Sequence, residues 1–298
     1  MKIRIAVLAV LIVIAPSLLS ATDLDVQTLA AWNKYVDSIS VATSQRVAGA
    51  SPFLWIDEAP GRRAQVRRGE ILAEPVHKDN PQKATHGLIH DWVGAVFIPN
   101  TTIKHVYATL NDYGNYPEVY PAVVDAKLIE DLGSERSFSM ELLEKAPFVT
   151  AAIESEFVSH TVRIDDSHWY TILSSTRIQQ IEDYGHAKEH MLPADHGTGY
   201  VWRLYAIQRF EERDGGVYAE CEVIVLSRDV PFRLEWLVKP ILEHLPKSAM
   251  ETVLLKTRDA VCERDVSSEE DRVLDRLAGT ANEPAGAESQ CSGAGCRR

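Results

Sequence analysis

The chain has 298 residues, of which 45% are hydrophobic and 25% are charged, so it holds enough apolar side chains for a sizeable core. Its 43 Asp and Glu residues outnumber its 31 Lys and Arg residues, giving a net charge of −12 at pH 7. Because binding to a phosphate backbone needs a basic face, this balance excludes a typical nucleic-acid-binding protein, and we predict no nucleic-acid partner.

The first residues have the layout of a secretory signal peptide. Lys2 and Arg4 come before the apolar run Ile5–Ile14. The apolar core of a signal peptide spans about 7–15 residues, whereas a membrane-spanning helix needs about 20. We therefore predict a cleaved signal peptide over residues 1–21 and a periplasmic or secreted mature protein that begins near Thr22. Retention of this segment as a membrane anchor is the alternative.

Residues 22–84 are predicted to form an N-terminal helix followed by an irregular extension. The helix is predicted over Asp23–Val47, where four apolar residues have helical spacing: Leu29, Trp32, Val36 and Ile39. The later segment "GRRAQVRRG" (Gly61–Gly69) carries four arginines. A charged strand face or loop is favoured there over a site for anionic headgroups.

The segment from Leu88 to Pro121 combines a strand, a helix and an aromatic turn. "LIHDWVGAVFIP" (Leu88–Pro99) is typical of a strand, and Asn100 is predicted to cap the helix that follows. In "YGNYPEVYP" (Tyr113–Pro121), two prolines exclude a long helix. Its tyrosines have apolar rings with polar tips, which suits either the rim of a cavity or a plug at the end of a barrel: Tyr113, Tyr116 and Tyr120.

Six further strands are predicted, at 123–131, 135–145, 152–164, 167–181, 199–213 and 216–228. The last two are predicted to form a hairpin around a two-residue turn at Asp214–Gly215, which places Ala206 opposite Val223 and Arg209 opposite Glu220. One face of this hairpin is apolar, with Trp202, Leu204, Ala206, Phe210, Cys221, Val223 and Val225. The other face pairs Arg203 and Arg209 with Glu220 and Glu222 and is predicted to be solvated.

The C-terminal part is predicted to be helical over 231–264, with breaks at Pro240 and Pro246. One apolar stripe is predicted on the last helix, comprising Met250, Val253, Leu254, Thr257 and Val261. Residues 265–298 contain few apolar side chains and are predicted to be disordered. Cys291 and Cys296, in this tail, are predicted either to form a small disulfide loop or to remain free thiols.

The order of these elements resembles the START-like (SRPBCC, helix-grip) superfamily over residues 85–264. The similarity rests on "HDWVGAVFIP", "YGNYPEVYPAVVDAKLI", "GTGYVWRLYAIQRFEE" and "LSRDVPF…VKPILEHLPKSAMETVLLKTRDAV". It implies an α+β fold in which a curved antiparallel sheet of about seven strands wraps around a long C-terminal helix. Members of this superfamily include lipid carriers, quinone-binding proteins and polyketide cyclases, so the resemblance implies an internal hydrophobic cavity.

No motif in the chain specifies a catalytic reaction. "HAKEH" (His186–His190) matches the H-x-x-E-H pattern of zinc peptidases, but Pro193 and Gly197 nearby favour a loop. His86 and His90 are predicted to lie on one strand face, where polar residues of a sheet edge are favoured over a metal pair. His160 and His168 are predicted to be structural, and His168 would be an acid or base only if it faced the cavity. Because phosphate-binding glycine loops and nucleophile elbows are also missing from the sequence, we predict no catalytic residue, no metal and no cofactor.

We therefore predict that the chain binds a hydrophobic small molecule, such as a lipid or quinone, in an internal cavity. Transfer of the bound molecule is a further option. A cyclase- or hydratase-like enzyme using that cavity and a non-ligand interaction protein of the cell envelope are the alternatives. Transient contact with a membrane and the oligomeric state stay open. The residues predicted to line the cavity are Val124, Ala126, Leu128, Phe138, Met140, Leu142, Trp202, Leu204, Ala206, Phe210, Val223, Val225, Ile241, Val253 and Leu254.

Overall fold

A computed structural model describes residues 22–146, 149–229 and 246–264 of the chain. The predicted signal peptide, Ile241 and the predicted disordered tail with its two cysteines lie outside the described residues. Helices in the described ranges lack the combination of length and apolar composition that crossing a membrane requires.

The N-terminal extension is more regular than its sequence suggests. It contains strand β1 (Thr22–Asp23), helix α1 (Val26–Val47), a 3-10 turn (Trp55–Asp57), helix α2 (Arg62–Arg67) and the short strands β2 (Leu72–Pro75) and β3 (Gln82–Ala84). Helix α1 was predicted, and it begins where the Asp25 carboxylate accepts hydrogen bonds from the backbone N–H groups of Gln27 and Thr28. The arginine-rich segment forms helix α2 and not a strand face or loop.

The rest of the described chain follows the predicted order of elements. It comprises β4 (Gly87–Pro99), α3 (Ile103–Leu110), a 3-10 turn (Tyr113–Asn115), α4 (Tyr116–Val119), β5 (Val123–Asp131), β6 (Glu135–Ala146), β7 (Val149–Arg163), β8 (His168–Glu182), β9 (His190–Met191), β10 (His196–Gly197), β11 (Arg203–Arg213), β12 (Gly216–Arg228) and helix α5, helical over residues 246–264. The cap of α3 was predicted at Asn100, but Thr102 accepts the capping hydrogen bond, from the His105 N–H.

Ten strands of the described residues form one antiparallel sheet. Its main path runs β2-β4-β12-β11-β8-β7-β6-β5, and β3 and β9 add short pairings to β4 and β8. The predicted hairpin is confirmed: Arg213 pairs with Gly216, and the turn residues Asp214 and Gly215 have φ of 58° and 77°. A positive φ at both positions is the geometry that an Asp-Gly turn favours.

Helix α5 packs on one face of this sheet, called the inner face below. Met250, Leu254 and Val261 belong to the same buried cluster as Trp92 and Phe210 of the sheet. An antiparallel sheet with a C-terminal helix against one face is the predicted α+β helix-grip arrangement, so this prediction is confirmed. The sheet has ten strands where about seven were predicted, because the short strands β2, β3 and β9 pair with its long strands.

The other face of the sheet, called the outer face, is covered by the N-terminal extension. Trp32 and Ile39 of α1 pack against Ile207, Ile224 and other outer-face residues, while the segment from Leu54 to Val66 covers the outer side of β4 and β12. Arg209 is therefore only 2% exposed. The prediction of a solvated hairpin face is wrong, because the alternation of polar and apolar residues separates two faces but cannot show what covers them.

Candidate functional site

Two neighbouring rows of side chains cross the middle of the inner face. Residues directly opposite each other in adjacent strands point to the same side of a sheet, so each row can be read from the register. The first row runs through Trp92, Val223, Ala206, Leu173 and Ser159. The second row begins with His90, Val225 and Leu204 and continues through Ser175, Phe157 and Phe138.

Within the part of the chain that the structure describes, the centre of these rows is incompletely covered. Leu173, Leu204, Val223 and Val225 are half-buried, although their strands β8, β11 and β12 each have a neighbouring strand on both sides. Apolar side chains in the middle of a sheet would be fully buried if the opposite layer filled the space above them. We call this strip, defined by the four residues, the inner groove. It is the candidate ligand site.

An aromatic wall closes the groove on the side of β5 and β6. Tyr113 stacks on Phe138 at 4.3 Å between ring centroids, and Phe138 stacks on Phe157 at 5.3 Å. Tyr116 contacts Tyr120 edge-on at 5.0 Å. The Tyr120 hydroxyl lies 2.9 Å from the hydroxyl of Thr257, which joins the wall to helix α5. The tyrosine turn therefore braces the helix against the sheet, and its role as a rim for ligand entry stays a prediction.

Among residues 22–146, 149–229 and 246–264, three buried polar atoms on the inner face have no hydrogen-bond partner: His90 Nδ1, Trp92 Nε1 and Ser155 Oγ. Burial lowers the pKa of His90 to about 4, so its ring is neutral at physiological pH. Ser155 lies two residues from Phe157 on β7, far from His90 on β4. Because unpaired buried polar groups are uncommon, these atoms mark places where a ligand or water can bind.

The structure brings most of the predicted lining residues together in two inner-face clusters. The cluster at the aromatic wall includes Ala126, Phe138, Met140, Leu142 and Leu204. The cluster beneath α5 includes Phe210, Val223 and Leu254. Ala206 and Val225 lie in the two rows described above. Their contact with a ligand remains a prediction.

Four predicted lining residues lie elsewhere. Val124, Leu128 and Val253 are 42%, 48% and 43% exposed, respectively. Irregular pairing between β5 and β6 at Val123/Asp125 shifts the alternation, so Val123 is buried instead of its neighbour. Trp202 packs on the outer face with residues of α1, because it precedes the first paired residue of β11.

Sequence reasoning missed three residues of the site. Leu173 was not assigned to a face because polar residues occur at both odd and even positions of the strand "HWYTILSSTRIQQIE", so neither face is recognisably apolar. His90 and Trp92 were not placed beside the groove because only the pairing of β4 with β12 shows their neighbours, Val225 and Val223.

The other motifs of the sequence do not build a site. His190 begins the short exposed strand β9, where its Nδ1 contacts the Lys188 carbonyl. No group of three or more potential metal ligands occurs among the described residues. Arg62 of α2 stacks on Trp55 and pairs with Glu74 at 2.9 Å, so this arginine serves the local fold. A pocket of about 20 Å³ beside Gln180 has room for one water molecule only.

The outer face contains a buried ionic network. Arg209 pairs with Glu220 at 3.1 Å and with Glu222 at 2.9 Å, and the Tyr35 hydroxyl donates to Asp91 at 2.6 Å. Burial, with Glu222 nearby, raises the pKa of Asp91 to about 7, and burial raises the pKa of Glu220 to about 7. Two carboxyl groups thus pair with one buried guanidinium, while the third, Asp91, is bound by the Tyr35 hydroxyl.

We expect the free energy of unfolding to fall as the pH rises from 5 to 8. In the unfolded chain, Asp91 and Glu220 lose their protons near pH 4, whereas in the folded protein they keep them up to about pH 7. The stability that this difference contributes is therefore fully present below pH 4 and is lost as the pH rises through about 7. Each carboxyl adds a slope of up to about 1.4 kcal/mol per pH unit. The lowered pKa of His90 gives an opposite slope below about pH 6.5, so urea unfolding at pH 6.5 and 8 is the sharpest comparison. Glu220→Gln should flatten the profile, whereas stability that rises with pH in the unsubstituted protein would contradict the assignment.

No protein-family model and no curated protein matches the chain. Among solved structures, it is similar to a STAR-related lipid transfer protein from Xanthomonas axonopodis, with 14% identity and a TM-score of 0.41 over 60% of this chain and 96% of that chain. It is also similar to human STARD10, with 9% identity and a TM-score of 0.40 over 63% of this chain and 74% of that chain. A third similar structure is the Zhui aromatase/cyclase from Streptomyces sp. R1128, with 10% identity and a TM-score of 0.40 over 59% of this chain and 95% of that chain. At these identities and TM-scores the similarities carry no argument about ligand or activity, and the fold assignment rests on the chain's own topology.

Proposed function

We propose that the protein binds a hydrophobic small molecule, such as a lipid or a quinone, in the inner groove. The observation that carries this proposal is the half-buried state of Leu173, Leu204, Val223 and Val225 on central strands of the sheet. A ligand that covered about 300 Å² of apolar surface there would gain roughly 7 kcal/mol before the cost of association, which is compatible with micromolar binding.

We favour a binding protein over the cyclase- or hydratase-like alternative. Such an enzyme needs a general acid or base whose pKa lies near the working pH. His90, the histidine beside the groove, has its pKa lowered to about 4 and is a poor base near neutrality. We propose that the protein acts outside the cytoplasm, with the apolar run Ile5–Ile14 as the supporting sequence feature.

Filling the groove should weaken binding. In Leu173→Trp, the indole would occupy the groove above β8 and β11 on the inner face. We expect the affinity for the fluorescent apolar probe N-phenyl-1-naphthylamine to fall at least tenfold, which corresponds to losing the contacts of about one buried side chain. Ile129→Trp is the matched control, because Ile129 is 57% exposed on the edge strand β5. Native mass spectrometry of the unsubstituted protein should also show a co-purified apolar molecule. If the probe does not bind and repeated preparations carry no such molecule, the proposed function is wrong.

A further inference from the structure

One end of the inner groove is polar. His90 and Trp92 lie two residues apart on β4 and point to the inner face, directly opposite the groove residues Val225 and Val223. Their side chains are deeply buried, with 7% and 8% exposure, yet no described residue gives a hydrogen-bond partner to Nδ1 of His90 or Nε1 of Trp92. Two neighbouring unpaired polar atoms, next to an incompletely covered apolar strip, suggest a binding point that a ligand completes.

The hydrogen bonds around His90 determine whether its unpaired ring nitrogen can donate a hydrogen bond to a ligand or accept one from it. Its Nε2 lies 2.9 Å from the Ser227 hydroxyl, which also contacts the Arg228 carbonyl at 3.3 Å. If the serine proton is directed to that carbonyl, the serine oxygen accepts from Nε2–H, and Nδ1 is left as a bare acceptor. The indole Nε1–H of Trp92 can only donate. The two atoms together therefore offer one acceptor and one donor.

We propose that His90 and Trp92 bind the uncharged hydroxyl group of an amphipathic ligand whose apolar body lies in the inner groove. A hydroxyl both donates and accepts, so its chemistry complements the acceptor Nδ1 and the donor Nε1–H alike. A carboxylate could accept from the indole, but it would bring an unpaired charge into a buried place and meet the lone pair of Nδ1. This inference rests on the proposed function and specifies the chemical class of the ligand.

The test compares ligands that share one hydrocarbon chain. Dodecan-1-ol, dodecane and dodecanoate compete with N-phenyl-1-naphthylamine for the full-length protein at pH 7.5. The readout is the ratio of alcohol affinity to alkane affinity, which should be roughly tenfold higher in the unsubstituted protein than in Trp92→Phe or His90→Gln, the effect of about one hydrogen bond. Trp92→Phe keeps an aromatic ring without the N–H, and His90→Gln keeps a donor toward Ser227 without Nδ1. As a control, Val225→Ala should weaken the alcohol and the alkane alike.

The possible results separate this inference from the proposed function. If the probe binds but the ratio is the same in all variants, or if dodecanoate binds more tightly than dodecan-1-ol, the hydroxyl site is wrong while ligand binding stands. If the probe does not bind at all, both proposals fail. A second readout needs no variant that could misfold: the Trp92 indole ¹H–¹⁵N resonance of the unsubstituted protein should shift with dodecan-1-ol and not with dodecane. An unmoved resonance at saturating alcohol would overturn the inference.

Discussion

Replacing Arg209 with methionine is expected to lower the free energy of unfolding by about 3–5 kcal/mol, the usual cost of removing one partner from a buried ion pair. Arg209 is 2% exposed and pairs with Glu220 and Glu222, which are 1% and 7% exposed. The comparison is made at pH 8, above the pKa of about 7 to which burial raises the Glu220 carboxyl. At that pH, methionine leaves both carboxyl groups buried without a cation. Glu220 would keep one hydrogen bond, from the Trp55 N–H at 2.6 Å, which cannot balance its charge.

Urea unfolding followed by circular dichroism measures this loss. Arg163→Met is the matched control, because Arg163 pairs with Asp166 on the surface, where such pairs contribute at most about 1 kcal/mol. Combining Arg209→Met with Glu220→Gln and Glu222→Gln should recover part of the loss, since the buried charges disappear together. A single Arg209→Met variant as stable as the Arg163→Met control would show that the outer face is not sealed.

The second large effect is expected from Gly94→Ala, which should destabilise the fold by about 1–3 kcal/mol through overpacking. A methyl group at Gly94 would lie 2.7 Å from a Leu254 methyl, 2.8 Å from Met250 Cγ and 2.9 Å from the Leu72 carbonyl oxygen. Two of these atoms belong to helix α5 and the third to the backbone of β2. The substitution therefore forces the helix away from the sheet.

Gly114→Ala provides the control for this prediction. No atom lies within 4 Å of the position that its new methyl would take, and alanine restricts the unfolded chain, so we expect a neutral or slightly stabilising effect. The unfolding free energies of the two variants should differ by at least about 1 kcal/mol. Equal stabilities would mean that α5 does not lie directly on β4 at this point.

The buried network also explains how the N-terminal extension is held. Tyr35 of α1 donates to Asp91, and the backbone N–H of Trp55 donates to Glu220, so two separate parts of the extension bind carboxyl groups of the sheet. Trp32 and Ile39 of α1 add apolar contacts to the same face. The extension thus forms a third layer over the sheet, opposite helix α5.

The sequence by itself determined the order and type of the main elements. Alternating residues from Arg203 to Arg228 and the Asp214–Gly215 turn were enough to predict the hairpin and its exact pairing, because a two-residue turn sets the register of both strands. The predicted stripe on α5 comprised Met250, Val253, Leu254, Thr257 and Val261, and all of these except Val253, which is 43% exposed, are buried. The stripe predicted most of the packing face because contacts within one helix follow its own period.

Only the tertiary structure decided what covers each face. The residues that bury Arg209 come from more than 150 positions earlier in the chain, such as Thr43 and Trp55, and no local pattern connects them to β11. The same holds for the groove: Leu173, Val223 and the polar pair His90 and Trp92 become neighbours only when β4, β12, β11 and β8 align. Periodicity specifies which side of a strand is apolar, whereas the space above that side depends on elements distant in sequence, whose packing is set by the whole fold.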